Sequence, residues 1–382
     1  MNYPAEAISE KAEAAARAYF QKNLLDWHAG HSRPMPWKGE RDPYKVWLSE
    51  IILQQTRVEQ GLPYFEKFVA AYPTVERLAA APLDAVLKLW EGLGYYSRAR
   101  NMHATALHIA TERGGRFPDT YAGLRALKGV GDYTAAAIAS FAFDLPYAVL
   151  DGNVYRVLAR FFGIDTPTDT PAARKQFAGL AQQLLDPARS GACNQAIMDF
   201  GATQCTPQQP ACVPCPLRPH CAAFHSNRVP LLPRRSKTPE KRQRFFAYAV
   251  FYHRGMVWVG QRHDKDIWQN LYEFPRLDLP EAPADTASLP PLLLAKFFPA
   301  GPPEGTVLRG ISNTYRQTLS HRIVNAVFCE FDLPDSIEVA DFQENKLEMF
   351  RQIEQFKLKK ILAIPRIIDW FWRGKDVTLK LN

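Results

Sequence analysis

Hydrophobic residues recur at helical spacing through the first 225 residues of the chain and alternate at strand spacing further on. Apolar positions three and four apart form one face of a helix, so this first part predicts an all-α unit of many short helices joined by small-residue turns. The predicted helices are 8–30, 43 to about 60, 63–71, 75–80, 83–91, 96–113, 120–127, 132–142, 152–162, 172–185 and 192–202.

The pattern changes after a stretch rich in proline and arginine, 226–243, which we interpret as a linker. Beyond it, strands and helices are mixed, which predicts an all-α domain over 1–225 followed along the chain by an α+β domain over 244–382. The predicted elements are strands at 245–252, 255–261 and 321–332 and helices at 341–352 and 358–372.

Length and charge add two expectations. The 382 residues suffice for two or three domains with sizeable cores, and the net charge is +8. Much of that charge lies in the predicted linker and just after it, where the chain has seven basic residues and one acidic residue, Glu240. Clustered Lys and Arg favour a polyanionic partner, although a solvated linker has the same composition. The basic residues are Arg228, Arg234, Arg235, Lys237, Lys241, Arg242 and Arg244.

No apolar run is long enough to span a membrane, and the amphipathic, acidic N-terminus does not resemble an export signal. We therefore expect a cytoplasmic protein without a membrane partner.

Four of the six cysteines fall within seventeen residues, at Cys205, Cys212, Cys215 and Cys221. Clustered thiols in a chain without an export signal favour a metal site over disulfides. Zinc and a [4Fe–4S] cluster both accept four cysteines, so the spacing leaves the metal open. Prolines within the loop favour a closed, structural site.

The stretch LKGVGDYTAAAI, residues 127–138, places Gly129 and Gly131 in a turn before a helix. Such a turn exposes backbone N–H groups and the positive end of the helix dipole to an anion such as a DNA phosphate. An ordinary connection between two helices fits the same residues.

Two acidic residues are candidate catalytic groups because of the sequence around them. Glu50 interrupts a largely apolar run, and burial there would raise its pKa and suit a general acid; a solvated glutamate is the alternative. Asp151 precedes GNVYRVLARFF as a helix N-cap, where the dipole favours the ionised form. One protonated acid beside one carboxylate is the division of labour used to break glycosidic bonds.

Two polar turns are candidates for contacts with stacked bases. Gln54-Gln55-Thr56 ends an apolar helix, and Gly92–Arg98 presents a pair of tyrosines on a glycine turn. Either stretch can be an ordinary surface loop. Either can also enter a DNA stack, because enzymes that act on bases must extrude them.

These motifs together resemble the endonuclease III superfamily of helix-hairpin-helix DNA glycosylases. The segments YKVWLSEIILQQT, GLGYYSRARN and FGATQCTPQQPACVPCP are similar to those of MutY-type adenine DNA glycosylases. The resemblance is dense over residues 20–225 and looser over 245–372. It implies a [4Fe–4S] cluster on the four cysteines, and contacts with the DNA backbone at Gly129 and Gly131.

The resemblance implies roles for the candidate catalytic residues. Glu50 protonates adenine and assists its departure, Asp151 stabilises the resulting sugar cation, Tyr133 supports that intermediate, and Asn153 orients the acid pair. Relatives that also cut the strand carry a lysine in place of Tyr133. A phenol cannot form a Schiff base, so we expect base removal without efficient strand cleavage.

The resemblance also implies contacts with the two bases of a mispair. Arg33, Trp37 and Gln195 line the adenine pocket, whereas Gln54 and Tyr95 contact the stack near 8-oxoguanine.

The C-terminal domain resembles the Nudix-like domain that reads 8-oxoguanine in this family, but it lacks a metal-binding Nudix box. Ser320 and His321 fall in the family's Phe-Ser-His loop, with Leu319 in place of the phenylalanine. Trp268–Leu271 replaces a common glycine pair, and both departures bear on discrimination between 8-oxoguanine and guanine.

We therefore expect a monomeric, monofunctional adenine DNA glycosylase of base-excision repair, acting on duplex DNA with A:8-oxoG or A:G mispairs and associated with the nucleoid through that DNA. Two alternatives stay open. One is a DNA-binding scaffold or redox sensor that has lost catalysis, against which Glu50 and Asp151 argue. The other is a thymine or other mismatch glycosylase, against which Gln195 and the C-terminal domain argue.

Overall fold

The computed structural model describes residues 10–236, 240–337, 350–355 and 357–379. The chain divides into two compact units, one mainly helical and one built on a sheet. The helical unit comprises Met1–Ala79 and Ala104–Thr238, and the sheet unit comprises Ala80–His103 and Pro239–Asn382.

Twelve α-helices precede the sheet in the described part of the chain. They are α1 (Glu10–His31), α2 (Pro43–Leu53), α3 (Val58–Ala71), α4 (Val75–Ala80), α5 (Leu83–Leu89), α6 (Ser97–Glu112), α7 (Tyr121–Ala126), α8 (Asp132–Phe143), α9 (Gly152–Phe162), α10 (Pro171–Gln183), α11 (Ser190–Asp199) and α12 (Ala222–His225). A π-helical turn, Phe200–Gln204, continues α11 towards the cysteine loop.

Local capping sets the start of the helices that carry the candidate site. Asp42 caps α2 by accepting from the Tyr44 amide, and Pro43 occupies the first turn, where its missing N–H costs nothing. The core of this unit packs α1 against α9, α10 and α11 through large apolar side chains. These include Phe20, Leu24, Val157, Leu158, Phe161, Phe177 and Phe200.

The helix predicted from 43 to about 60 is wrong at its C-terminal end. α2 stops at Leu53, since Gln54 leaves the helical region and Gln55 has a positive φ of 54°. A new helix, α3, then starts at Val58, five residues before the predicted 63. The break separates the apolar run around Glu50 from α3 and leaves Gln54 at a turn.

The sheet unit contains eight strands in its described residues. They are β1 (Arg242–His253), β2 (Met256–Gln261), β3 (Tyr272–Glu273), β4 (Arg276–Leu279), β5 (Val307–Ile311), β6 (Tyr315–Thr318), β7 (Arg322–Asp332) and β8 (Phe350–Glu354). The main path runs β3-β2-β1-β7-β5, with β4 on β1, β6 on β7 and β8 on β2. β1 and β7 pair in parallel from Arg242 opposite Arg322 to Tyr252 opposite Asp332, and the other pairs are antiparallel.

Helices cover both faces of this sheet because successive strand side chains point to opposite sides. Leu293 of α13 (Leu289–Phe297) packs with Phe251 and Phe331 on one face. Phe371 of the C-terminal helix α15 (Arg366–Leu379) stacks on Phe328 at 4.0 Å between ring centroids on the other.

Two C-terminal predictions differ from the structure. Residues 341–349 of the predicted helix 341–352 lie outside the described residues, but Phe350 begins strand β8, which pairs with β2. The predicted helix 358–372 is two helices, α14 (Leu358–Ile361) and α15, because Pro365 cannot continue the ladder of hydrogen bonds.

The stretch interpreted as a linker lies against the helical unit as far as residue 236. Leu232 is buried, and Arg160 Nε of α9 donates to the carbonyl oxygens of Val229 and Leu232. Arg228 and Arg234 both pair with Asp165. Part of the basic run is thus engaged with acidic side chains of the protein itself.

Among the described residues, no helix has the length and apolar character needed to cross a membrane.

Candidate active site

A cavity of about 690 Å³ opens in the helical unit, between the α1–α2 loop, α2, α8, the start of α9, and α11. Seven residues singled out from the sequence line it together, although they are spread over more than 160 positions. They are Arg33, Trp37, Glu50, Tyr133, Asp151, Asn153 and Gln195.

Glu50 is held on α2 with only 6% of its surface exposed. Burial raises the pKa of its carboxyl to about 7, and the negative charge of Asp151 acts in the same direction. A hydrogen bond with Tyr133 opposes the rise. A large fraction of Glu50 is therefore protonated at neutral pH and can donate a proton.

Asp151 is the N-cap of α9 and is surrounded by donors. Its Oδ1 accepts from the amides of Asn153 at 2.9 Å and Val154 at 2.8 Å, and its Oδ2 accepts from Asn153 Nδ2 at 2.7 Å. Burial raises the pKa of this carboxyl, while the three hydrogen bonds and the charge of Arg156 favour the ionised form. The pKa is raised overall, so burial outweighs the contacts at the N-cap that were expected from the sequence to keep Asp151 ionised.

Tyr133, in the first turn of α8, interacts with both carboxyls. Its hydroxyl forms a hydrogen bond with Glu50 and also lies 3.6 Å from Met198 Sδ. Burial and the charges of Glu50 and Asp151 raise its pKa well above 10, so the phenol stays neutral and acts as a donor.

Asp199 is a further cavity residue that the sequence reasoning missed. Its carboxylate is fully buried and lies 3.1 Å from His28 Nε2, 3.3 Å from Arg33 Nε and 2.5 Å from Lys38 Nζ. Burial alone would raise its pKa, but the hydrogen bonds from His28 and Lys38 and the charges of Lys38 and Arg33 lower it to about 2. One sequence signal existed, an acid within the apolar stretch AIMDFGA one helical turn after Gln195.

Arg156 of α9 connects the active site to the cysteine loop. Its Nε donates to the carbonyl of Cys205 at 2.7 Å, and its Nη2 donates to Asn153 Oδ1 at 2.8 Å and to the carbonyl of Gly201 at 2.6 Å. Asn153 in turn holds Asp151. The orientation of Asp151 therefore depends on the backbone that leads into the cysteines.

The four clustered cysteines line one small cavity beside Arg160 and Arg218. Arg160 Nη1 lies 3.4 Å from the Sγ of Cys205, and burial raises the pKa of the Cys215 thiol to about 11. Four sulfur donors around one space, next to a guanidinium, fit a group of net negative charge. No three His, Cys, Asp or Glu side chains of the described residues are placed to hold a single metal ion.

The remaining predicted residues are not among those that line this cavity. Gly129, with a φ of 81°, forms the turn between α7 and α8, and Gly131 caps α8 without a side chain. Gln54 Nε2 donates to Thr134 Oγ1 at 3.1 Å. Tyr95 and Ser320 belong to the sheet unit, where their hydroxyl groups are in contact.

His321, also in the sheet unit, is exposed at the tip of the β6–β7 connection. Cys193 and Cys329 are buried and lie outside the cysteine loop.

Comparisons with known proteins place these features in a family. Residues 48–183 match the family described as HhH-GPD superfamily base excision DNA repair protein. The adenine DNA glycosylase of Buchnera aphidicola subsp. Schizaphis graminum is 36% identical over 263 residues, which are 68% of this chain and 75% of that protein. The mouse adenine DNA glycosylase is 43% identical over 230 residues, which are 58% of this chain and 44% of the mouse protein.

Among solved structures, a thermostable thymine-DNA glycosylase superposes with a TM-score of 0.53 at 29% identity, covering 56% of this chain and 99% of that one. The similarity confirms the helical glycosylase fold, and the sequence relatives confirm the resemblance drawn from the motifs. The chain belongs to the adenine DNA glycosylase family, within the helix-hairpin-helix superfamily of base-excision DNA repair proteins.

Proposed function

We propose that this protein hydrolyses the N-glycosidic bond of adenine mispaired with 8-oxoguanine or guanine in duplex DNA and leaves the strand uncut. The observation that carries the proposal is one cavity that brings together a buried Glu50 with a pKa near 7, the hydrogen-bonded Asp151 and the neutral phenol of Tyr133. This is the arrangement needed for a reaction through an oxocarbenium-like state.

The reaction follows from these two environments. Protonated Glu50 gives its proton to the flipped adenine, the C1′–N9 bond breaks, and its electron pair leaves with the base. The Asp151 carboxylate stabilises the cation that develops on the sugar. Water then adds to C1′ and returns a proton to Glu50, which leaves free adenine and an abasic site.

Selection of adenine is supported by polar groups that line the same cavity. A flat purine with an exocyclic amine needs both donors and acceptors, which Gln195, Arg33 and Asp199 supply. Trp37, packed edge-on against Phe65 at 5.2 Å between ring centroids, adds an apolar wall.

We infer that the cysteine loop holds a [4Fe–4S] cluster through Cys205, Cys212, Cys215 and Cys221, which together line one cavity. When bound, such a cluster supplies a rigid crosslink for the loop. Arg160 stabilises the loop from α9, since it donates to the carbonyl oxygens of Thr206 at 2.7 Å and Pro207 at 3.1 Å.

Recognition of the opposite base is assigned to the sheet unit, which we propose to be Nudix-like. Tyr95, 43% exposed, and the neighbouring Ser320 and His321 are available to a base. The helix that covers one face of the sheet, α13, has the sequence LPPLLLAKF and no carboxylate to bind a metal. Nucleotide hydrolysis is therefore not part of the proposal.

The test is single-turnover excision, with enzyme in excess, on duplexes containing A:8-oxoG, A:G, T:G and C:G. We expect adenine release from A:8-oxoG to be fastest and strand breaks to appear only after alkaline treatment. Release of thymine alone would favour the activity named for the structural relative. No base release from any duplex, with binding retained, would favour a scaffold without catalysis.

The cofactor has its own test. Iron and sulfide analysis of the purified protein, together with its visible absorbance, separates a [4Fe–4S] cluster from zinc. Four iron atoms per chain are expected, and one zinc per chain would overturn this assignment.

A further inference from the structure

One segment of the helical part of the sequence belongs structurally to the sheet unit. Residues Ala80–His103 group with Pro239–Asn382, although helices of the other unit precede and follow them in the chain. This segment carries Tyr95, the candidate probe of the opposite base. How the segment is fastened therefore decides where the Tyr95 ring lies.

Four side chains fasten the segment to the sheet unit through polar contacts. Asp84 accepts from Gln261 and Tyr272, Lys88 donates to the carbonyl of Leu362, Glu91 accepts from the amide of Ile364, and Arg100 donates to the carbonyl of Gln269. The last three partners are backbone atoms. Asp84 instead accepts hydrogen bonds from two side chains of the sheet.

Asp84 joins two strands at once. Its Oδ1 lies 3.0 Å from Gln261 Nε2 on β2, and its Oδ2 lies 2.9 Å from Tyr272 Oη on β3. Gln261 and Tyr272 are themselves cross-strand partners. Hydrogen bonds to a charged acceptor are stronger than neutral ones, so this half-buried carboxylate ties α5 to the side chains of two strands at once.

The other end of the segment is a rigid turn. Gly94 and Tyr95 both have positive φ, of 73° and 48°. Trp90 Nε1 donates to the carbonyl of Gly94 at 3.0 Å, and the Arg98 guanidinium lies 4.8 Å from the Trp90 ring centroid while donating to the same carbonyl. A displacement of α5 is therefore transmitted to the Tyr95 ring.

The loop that meets Tyr95 is equally well held. The Leu319 amide donates to the carbonyl of Arg322 at 2.8 Å, and Lys241 Nζ donates to the carbonyl of Leu319 at 2.9 Å. Ser320 contacts the Tyr95 hydroxyl. The ring and the loop tip thus form one recognition surface, defined here as Tyr95, Ser320 and His321.

We propose that Asp84 is a positioning residue for this recognition surface and determines discrimination between 8-oxoguanine and guanine, an inference that rests on the proposed function. The two bases differ only by the oxygen at C8 and the hydrogen at N7. A probe can distinguish them only when its polar atoms are held to within a fraction of an ångström, because hydrogen bonds weaken steeply with misplacement. Asp84 supplies that restraint without contacting the base.

The experiment compares Asp84→Ala and Tyr272→Phe with the wild-type protein and with Glu66→Ala. Tyr272→Phe removes the hydroxyl that donates a hydrogen bond to Asp84 and keeps the aromatic ring that Arg351 packs over. Glu66 is an exposed acid on α3 of the helical unit and serves as the matched control. Single-turnover rate constants are measured at saturating enzyme for A:8-oxoG and A:G duplexes.

For Asp84→Ala we expect the ratio of the two rate constants to fall about tenfold, the factor that corresponds to one charged hydrogen bond. The lower ratio should result from a lower rate constant for the A:8-oxoG duplex. The ratio should fall less in Tyr272→Phe and stay unchanged in Glu66→Ala. A role in folding alone would slow both duplexes equally. Equal slowing in both variants, or an unchanged ratio, overturns the proposal.

Failure of the proposed function is distinguishable. If the wild-type protein releases no adenine, the same variants are compared by affinity for duplexes that carry a non-hydrolysable adenine analogue opposite 8-oxoguanine or guanine. A wild-type affinity ratio that persists in Asp84→Ala and Tyr272→Phe, or a wild-type protein that binds both duplexes equally, overturns the inference about Asp84.

Discussion

At the scale of single residues, the candidate active site holds two carboxyl groups in different surroundings. Glu50 is buried in an apolar stretch of α2 with Tyr133 as its hydrogen-bond partner, whereas Asp151 accepts three hydrogen bonds at the start of α9. Burial raises the pKa of both carboxyls, but the hydrogen bonds and the charge of Arg156 around Asp151 partly offset that rise. The proposed chemistry needs one protonated acid and one carboxylate.

The pH dependence of excision should reveal Glu50. Because its pKa is raised to about 7 and only the protonated form can act as the acid, the single-turnover rate constant should fall as pH rises above about 7. In the limit the fall is about tenfold per pH unit. Glu50→Gln should abolish excision while duplex binding survives, and a rate near that of the wild type in this variant would remove Glu50 from its role.

Thermal unfolding checks the same pKa independently of DNA. A carboxyl whose pKa rises from 4.5 to about 7 on folding stabilises the protein fully below pH 4.5, and that stabilisation is lost as pH rises through 7. The melting temperature of Glu50→Gln, measured relative to wild type, should therefore increase between pH 5 and pH 8. A pH-independent difference would show that Glu50 is not a buried acid.

Under the proposed mechanism, the residue at position 133 decides whether the strand is cut after base removal. Tyr133→Lys places an amine in the cavity that Glu50 and Asp151 line, which is the proposed site of the sugar. We expect this variant to form a Schiff base that borohydride traps as a covalent complex with DNA, and to cut the strand slowly. Tyr133→Phe is the control, which should give neither product, and an absence of trapped complex in Tyr133→Lys would contradict the assignment.

At the scale of elements, the α7–α8 hairpin and the basic run are two competing candidates for contacts with DNA phosphates. The hairpin presents the turn around Gly129, whose φ of 81° suits glycine. In the basic run, Arg228 and Arg234 pair with Asp165, and Arg244 pairs with Asp278. Their charges are partly neutralised within the protein, so the hairpin is the stronger candidate.

Salt dependence distinguishes these two elements. Lys128 is exposed at the hairpin turn, so Lys128→Gln should weaken binding to all duplexes and reduce the slope of log affinity against log salt by about one. The double variant Arg228→Gln and Arg234→Gln should leave the slope close to that of the wild type, because both arginines face Asp165. The opposite pattern would assign the phosphate contacts to the basic run.

At the scale of the whole molecule, each of the two proposed tasks belongs to a unit with its own core. The cavity with Glu50 and Asp151 lies in the helical unit, and the surface formed by Tyr95, Ser320 and His321 lies in the sheet unit. Each unit has its own cluster of buried apolar side chains. Separate cores allow each unit to unfold as a cooperative body.

Calorimetry tests this division. Phe328 is fully buried between Tyr248 and Phe371, with ring centroids 5.0 Å and 4.0 Å away. Phe328→Ala should destabilise the sheet unit by about 3–5 kcal/mol, through lost burial and the cavity left behind, and lower one unfolding transition while the other stays in place. A single transition that shifts as a whole would show that the two units unfold together.

The sequence alone determined most of what depends on local order. The helix starts at Asp42 and Asp151, the turn at Gly129, the cysteine spacing and the change from helices to strands all follow from neighbouring residues. The break after Leu53 and the strand at Phe350 were not predicted, because a left-handed Gln55 and pairing with β2 outweighed helical periodicity.

Tertiary structure alone decided the properties that depend on desolvation and on distant partners. The pKa of Glu50 results from burial and from Tyr133 and Asp151, which lie more than 80 positions further along the chain. The charge cluster around Asp199 and the attachment of Asp84 to the sheet join residues more than 150 positions apart. No local pattern encodes these contacts, because the free energy of a buried charge depends on what the fold brings against it.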